Sequence, residues 1–146
     1  MKGYVSIHRI ADGQILANLK KFRIYGRLGG FISEGSFQNG QAALDAAFAL
    51  MASLNPSHID YILDMRFGDP WPNDILKLWK KKALEILSKY PQVYAVGVTS
   101  QDSPLWLQVS KWRELFEKHG DRILGTFERP EEAEAFLDKS RNFKSS

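Results

Sequence analysis

Apolar and polar residues alternate from Tyr4 to Ile10, the period-two pattern of a half-buried strand. Asp12-Gly13 is a hairpin signal, and a second extended segment follows from Ile15 to Leu28. Ile15, Ala17 and Leu19 share one face, whereas Phe22, Ile24, Gly26 and Leu28 fall out of step with them. A β-bulge near Lys20-Lys21 would restore a common face. The period then changes. Behind Asn39 as N-cap, the apolar residues at 44, 47, 48, 51 and 54 predict a helix over Gln41–Leu54, stopped by Asn55-Pro56. Ile59 to Phe67 is almost continuously apolar, as a central strand covered on both faces should be.

The second half alternates the same two element types. Asn73 caps a helix with Asp74 near its positive end, and its stripe runs from Ile75 through Trp79 and Ile86 to Tyr90. Pro91 ends it, and Val93–Val98 reads as a strand. Ser103-Pro104 opens a helix carrying Leu105, Val109, Trp112, Leu115 and Phe116, which His119-Gly120 closes. Ile123–Phe127 and Pro130–Leu137 supply the last strand and helix. The prediction is a single α/β domain over residues 1–140 with a C-terminal tail at 141–146. An N-terminal β-hairpin would lead into helix–strand units, giving a mixed sheet packed with about four helices.

A chain of 146 residues is ordinary for one domain. No apolar run approaches the roughly 18 residues that span a bilayer, and the first residues lack the apolar core of a secretory signal. With no cysteine, thiol chemistry and thiolate metal sites are excluded. The expectation is a cytoplasmic protein without membrane insertion. The net charge of +3 is spread evenly: residues 1–73 hold 7 basic and 6 acidic groups, residues 74–146 hold 13 and 11. Lys77, Lys80, Lys81 and Lys82 spread around a helix as a solvated face, so no nucleic-acid partner is expected.

Candidate chemistry is sparse. Asp64, Asp69 and Asp74 would meet at the carboxyl end of the central strand, where α/β sheets bind ligands. Pairing of Asp64 with Arg66, with the other two serving turn and helix start, explains them better than a metal. Ser100, Asp102 and Ser103 are explained by capping as well as by anion binding. His8, His58 and His119 lack ligand spacing, with His119 a complement to a helix dipole. No Ser stands in a nucleophile motif, and the glycines at 29, 30, 35 and 40 form no phosphate loop. Trp79 and Trp112 fit buried stripes. Trp71, between two prolines, and Trp106, beside its helix's apolar face, are candidate interface anchors.

Four places give the chain a resemblance to STAS domains, in particular the SpoIIAA-like group related to anti-sigma-factor antagonists. They are Ile24-Tyr25-Gly26-Arg27-Leu28, Leu63-Asp64-Met65-Arg66, Val96-Gly97-Val98-Thr99-Ser100 leading to Ser103-Pro104, and Phe127 followed by Glu131-Glu132-Ala133 and Phe136-Leu137. The resemblance implies a non-enzymatic bacterial regulatory module acting by protein contact, with no cofactor or metal. It places partner binding on Trp71, Asn73, Asp74, Ser100, Asp102 and Trp106. The partner would be a regulatory protein, kinase-like or sigma-regulator-like, with a homodimer as a further option. The phosphorylated Ser or Thr of anti-sigma antagonists has no counterpart, since no hydroxyl side chain lies between Phe67 and Leu87. An alternative within the group is a small apolar ligand or lipid, with Phe31, Ile32 and Phe37 as a lid. Receiver domains of response regulators are similar around Asn39-Gly40 and Leu63–Arg66. Their acidic pair and lysine are missing, which leaves a degenerate receiver-like signalling domain. An uncharacterised hydrolase is the remaining reading.

Overall fold

The computed structural model describes residues 1–10, 13–29, 33–66 and 69–143. Among them, strands β1 (Val5–Arg9), β2 (Gln14–Asn18), β3 (Arg23–Arg27), β4 (Ile59–Asp64), β5 (Val93–Val98) and β6 (Ile123–Phe127) form one mixed sheet. Its strand order is β1-β2-β3-β4-β5-β6. The first three strands are antiparallel neighbours, and β3 to β6 are parallel. The helices are α1 (Glu34–Ser53), α2 (Asn73–Lys89), α3 (Pro104–Val109), α4 (Arg113–His119) and α5 (Pro130–Ser140). The molecule is thus an α/β domain opening on antiparallel strands and continuing in helix–strand units.

Several sequence expectations need correction. The extended segment from Ile15 to Leu28 is two strands joined by a tight turn, not one bulged strand. Asn18 Oδ1 accepts from the backbone of both Lys20 and Lys21 at 3.1 Å, and Phe22 has φ 50°. An Asx turn followed by a left-handed residue reverses the chain where a bulge would only bend it. The bulge lies instead in β1, where the register shifts between Ser6 and His8. Being an edge strand, β1 is mostly exposed rather than half-buried, with Val5 at 55%.

Helix α1 begins at Glu34, well before Asn39. Ser33 and Ser36 form a reciprocal capping box at its start, so Gly35 and Gly40 both lie inside the helix. The helix expected from Ser103 to His119 is split by Ser110–Trp112, which raises the helix count to five. Asn73 is the first helical residue of α2 rather than its cap, a position taken by Pro72.

Strands that advance one place at a time through right-handed crossovers put α1 to α4 on one face. That front face holds the main core. Phe48, Met51, Ile75 and Leu105 pack there on Ile24, Ile59 and Val93, each contributing about 1.5–3 kcal/mol by burial. The back face is covered by α5, whose Ala133 and Leu137 meet Tyr25, Ile62, Val96 and Val98. No helix among the described residues is long and apolar enough to cross a membrane.

Candidate functional site

The carboxyl ends of β4 and β5 gather most of the residues singled out from the sequence. Asn73, Asp74, Ser100 and Asp102 are exposed there, on neighbouring connections. Trp71 is not available as an exposed anchor, because only 3% of it is accessible. Gln108 Oε1 accepts from the Trp71 N–H at 2.9 Å, and Gln108 Nε2 donates to the Trp71 carbonyl at 3.0 Å. The ring is thereby turned inward between Phe37, 6.2 Å away, and Trp79, 5.9 Å away. The proline on each side, which suggested an exposed tip, rigidifies a segment that is tied down.

Phe37 is likewise buried, in the first turns of α1, and forms no lid. Phe31 and Ile32 lie outside the described residues. Trp106 is half-buried, and Ser103 caps α3 while donating to the Met65 carbonyl, so its hydroxyl is committed internally. His119 accepts from Arg122 Nη2 at 3.0 Å, since a guanidinium has no acceptor. Burial, with Arg122 beside it, lowers the His119 pKa. It is a neutral acceptor rather than a charged complement to the dipole.

Asp64 is fully buried on the back face. The Tyr25 hydroxyl donates to Asp64 Oδ2, and Arg66 grips both carboxylate oxygens, Nε to Oδ1 at 2.9 Å and Nη2 to Oδ2 at 2.8 Å. The pairing with Arg66 expected from the sequence is therefore present. Burial raises the Tyr25 pKa, reinforced by its bond to Asp64.

The front face contains a cavity of about 80 Å³ that no sequence pattern announced. Its floor is Leu63 of β4 and Met65 just beyond it, Ala95 and Gly97 of β5, and Ile123 and Thr126 at the β6 edge. Trp79 and Ala83 of α2, Trp106 and Val109 of α3, and Phe116 of α4 close it from above. The short side chains at Ala83, Ala95 and Gly97 create the space. A Cβ built on Gly97 would lie 3.3 Å from Thr126 Cγ2 and 3.4 Å from Met65 Cε. Among the described residues Tyr61 is the one titratable group in the lining, and burial raises its pKa, keeping the phenol neutral. Such walls can hold an apolar group but offer no proton donor or acceptor matched to chemistry near neutral pH.

A second feature missed from the sequence is the ionic cluster at the amino ends of β3 and β4. Arg23, fully buried, donates to Glu134 and, at 2.8 Å, to Asp138 Oδ1. Lys21 reaches the same Asp138 oxygen at 2.9 Å, Arg141 Nη2 reaches Asp60 Oδ1 at 2.7 Å, and the Tyr4 hydroxyl donates to Glu134. Burial alone would raise the Asp138 pKa, but its bonds from Lys21 and Arg23 outweigh this and lower it. The cluster fastens α5 to the sheet and keeps the chain on the fold as far as Phe143, whose ring lies 5.9 Å from the Arg23 guanidinium. Its sequence signal was available: Asp60 interrupts an otherwise apolar strand, and a charge there needs a partner. Compared with family models, curated proteins and solved structures, the chain gave no match to any of them.

Proposed function

We propose that this chain is a non-enzymatic binding domain of STAS-like, SpoIIAA-like type that takes a small apolar ligand or the end of an aliphatic chain. The single observation carrying this reading is the cavity between α2, α3, α4 and the strands β4–β6. Its size sets the ligand class. An apolar cavity of about 150 Å³ holds one benzene ring, so 80 Å³ accommodates only a few methylene groups without displacement of the walls. A longer chain would leave past Thr126, which is exposed at the β6 edge. The two short helices α3 and α4 form the part of the roof best able to shift outward.

The test is binding of a fluorescently labelled medium-chain fatty acid to the purified protein, together with native mass spectrometry for co-purified lipid. Ala95→Leu fills the cavity from its floor and is expected to abolish saturable binding while the fold persists. Equal binding by this variant, or none by the wild type, would reject the reading. The regulatory protein-contact reading retains exposed Asn73, Asp74, Ser100 and Asp102 but loses Trp71 as its anchor, and is the weaker of the two.

A further inference from the structure

We infer that the free edge of β6 takes up an extended segment of a protein partner, which adds to the sheet as a further strand and places one aliphatic side chain in the cavity. This rests on the reading of the cavity as a binding site and names what enters it.

The strand order ends at β6, and among the described residues no further strand lies outside it. Residues of β4 and β5 are mostly buried, whereas every residue of β6 keeps some exposure and Thr126 is exposed. The Thr99 N–H donates to the Phe127 carbonyl at 2.9 Å, so Phe127 turns its backbone groups toward β5. Successive residues of a parallel strand point these groups to opposite sides. The N–H and C=O of Thr126 therefore point outward from the sheet. Edges of natural sheets are commonly blunted by charge or proline, and Ile123–Phe127 contains neither.

The cavity reaches this edge. Leu63, Gly97 and Thr126 form one cross-strand row, and all three line the cavity. A residue added opposite Thr126 would extend the row on the same face, its Cβ about 5 Å away. Beside the row β6 carries one extra residue, since Ala95 stands opposite Ile123 and Val96 opposite Gly125. Gly125 lines the cavity at φ 152°, and a Cβ built on it would meet no atom within 4 Å. The wall there is bare backbone with open space beside it. Glycine within a strand often marks the close approach of a ligand or of another backbone.

Size and rim choose the occupant. About 80 Å³ admits a few methylene groups, which is one leucine or isoleucine side chain. The two guanidiniums flanking β6 are engaged. Arg122 donates to the carbonyls of Leu87 and, at 2.8 Å, of Tyr90, while Arg129 Nε donates to Glu132 Oε1 at 2.9 Å. What the rim offers an incoming polar group is the backbone of Thr126, and its match is the backbone of a second chain. In strand addition of this kind main-chain bonds supply the affinity and side-chain pockets the selectivity.

Fluorescence anisotropy tests the inference with a labelled peptide of alternating threonine and leucine, a lysine at each end, titrated with the full chain. Saturable binding is expected. It should weaken roughly tenfold or more when alanine replaces leucine in the peptide, and equally in Ala95→Leu, because one aliphatic side chain then goes unburied. N-methylation of every internal peptide amide should abolish it. Circular dichroism checks that Ala95→Leu folds, and the alanine peptide decides the matter if it does not. No binding by the wild type, or undiminished binding by Ala95→Leu, of the alanine peptide or of the N-methylated one, would overturn the inference. A labelled fatty acid measured alongside separates the two readings. Binding of the fatty acid alone overturns the added strand and keeps the cavity reading, and binding of neither overturns both. Binding of the peptide alone upholds the added strand and rejects a lipid ligand.

Discussion

Gln108 holds Trp71 by its backbone, receiving the N–H at 2.9 Å and giving to the carbonyl at 3.0 Å. One amide side chain on α3 thereby replaces the strand partner that an irregular segment lacks. It also aligns Phe37, Trp71, Trp79 and Trp112 as a continuous aromatic file from α1 to α4. Gln108→Ala leaves both groups of Trp71 without this partner. We expect a loss of about 1–3 kcal/mol, read as a lower urea midpoint at unchanged slope. A loss too small to measure would mean that solvent satisfies those groups.

Arg23 is the hub of the back-face cluster, so its removal takes one cationic partner from each of Asp60, Glu134 and Asp138. Arg23→Leu should cost about 3–5 kcal/mol, as for a buried ion pair broken on one side. Replacing Asp138 by Asn in the same background should recover part of that loss, since one of the under-compensated buried charges is then gone. Additive losses in chemical denaturation of the single and double variants would count against a coupled cluster.

Stability should fall on both sides of neutrality, for different groups. The depressed Asp138 pKa contributes stability above the ordinary carboxylate range, and that contribution is lost as the pH drops through its folded value. Tyr4, Tyr25 and Tyr61 have raised pKa values. Their contribution is complete below the usual phenol pKa, about 10, and is lost as the pH climbs above it. Thermal midpoints recorded across pH should show both limbs. Asp138→Asn should flatten the acid limb and Tyr25→Phe the alkaline one. A variant whose limb stays as steep as wild type would clear that group of responsibility.

Gly26 in β3 lies against the Tyr61 ring, and an added Cβ would sit 2.8 Å from the phenol oxygen and 3.1 Å from Cε1. Gly26→Ala must push that buried ring aside, at about 1–3 kcal/mol for overpacking. The paired change Gly26→Ala with Tyr61→Phe removes the closest atom and should recover part of the loss in thermal unfolding. No recovery would place the strain in the backbone instead.

Strands β4 to β6 are legible because each is short, largely apolar and fenced by proline or glycine. Ser103-Pro104 marked its helix start to the residue, through a side chain that accepts from the Trp106 N–H. The turn at Leu19–Phe22 escaped because its signal is a bond from Asn18 to backbone two and three residues on, in a stretch whose alternation barely breaks. Ser33 was passed over as a cap because Gly35 and Gly40 weaken the helical pattern behind it. The cavity was illegible for another reason. It depends on small residues on three elements lying opposite one another, an arrangement that spacing along one element does not encode.

Among the described residues, the one helix on the back face comes later in sequence than every strand it covers. While the ribosome is still adding residues before Pro130, Tyr25, Ile62, Val96 and Val98 have no cover, and Arg23 and Asp60 face each other without Glu134, Asp138 or Arg141. A nascent chain at that stage presents a greasy, charged flank to its surroundings. Addition of Pro130–Ser140 is the step that covers this flank.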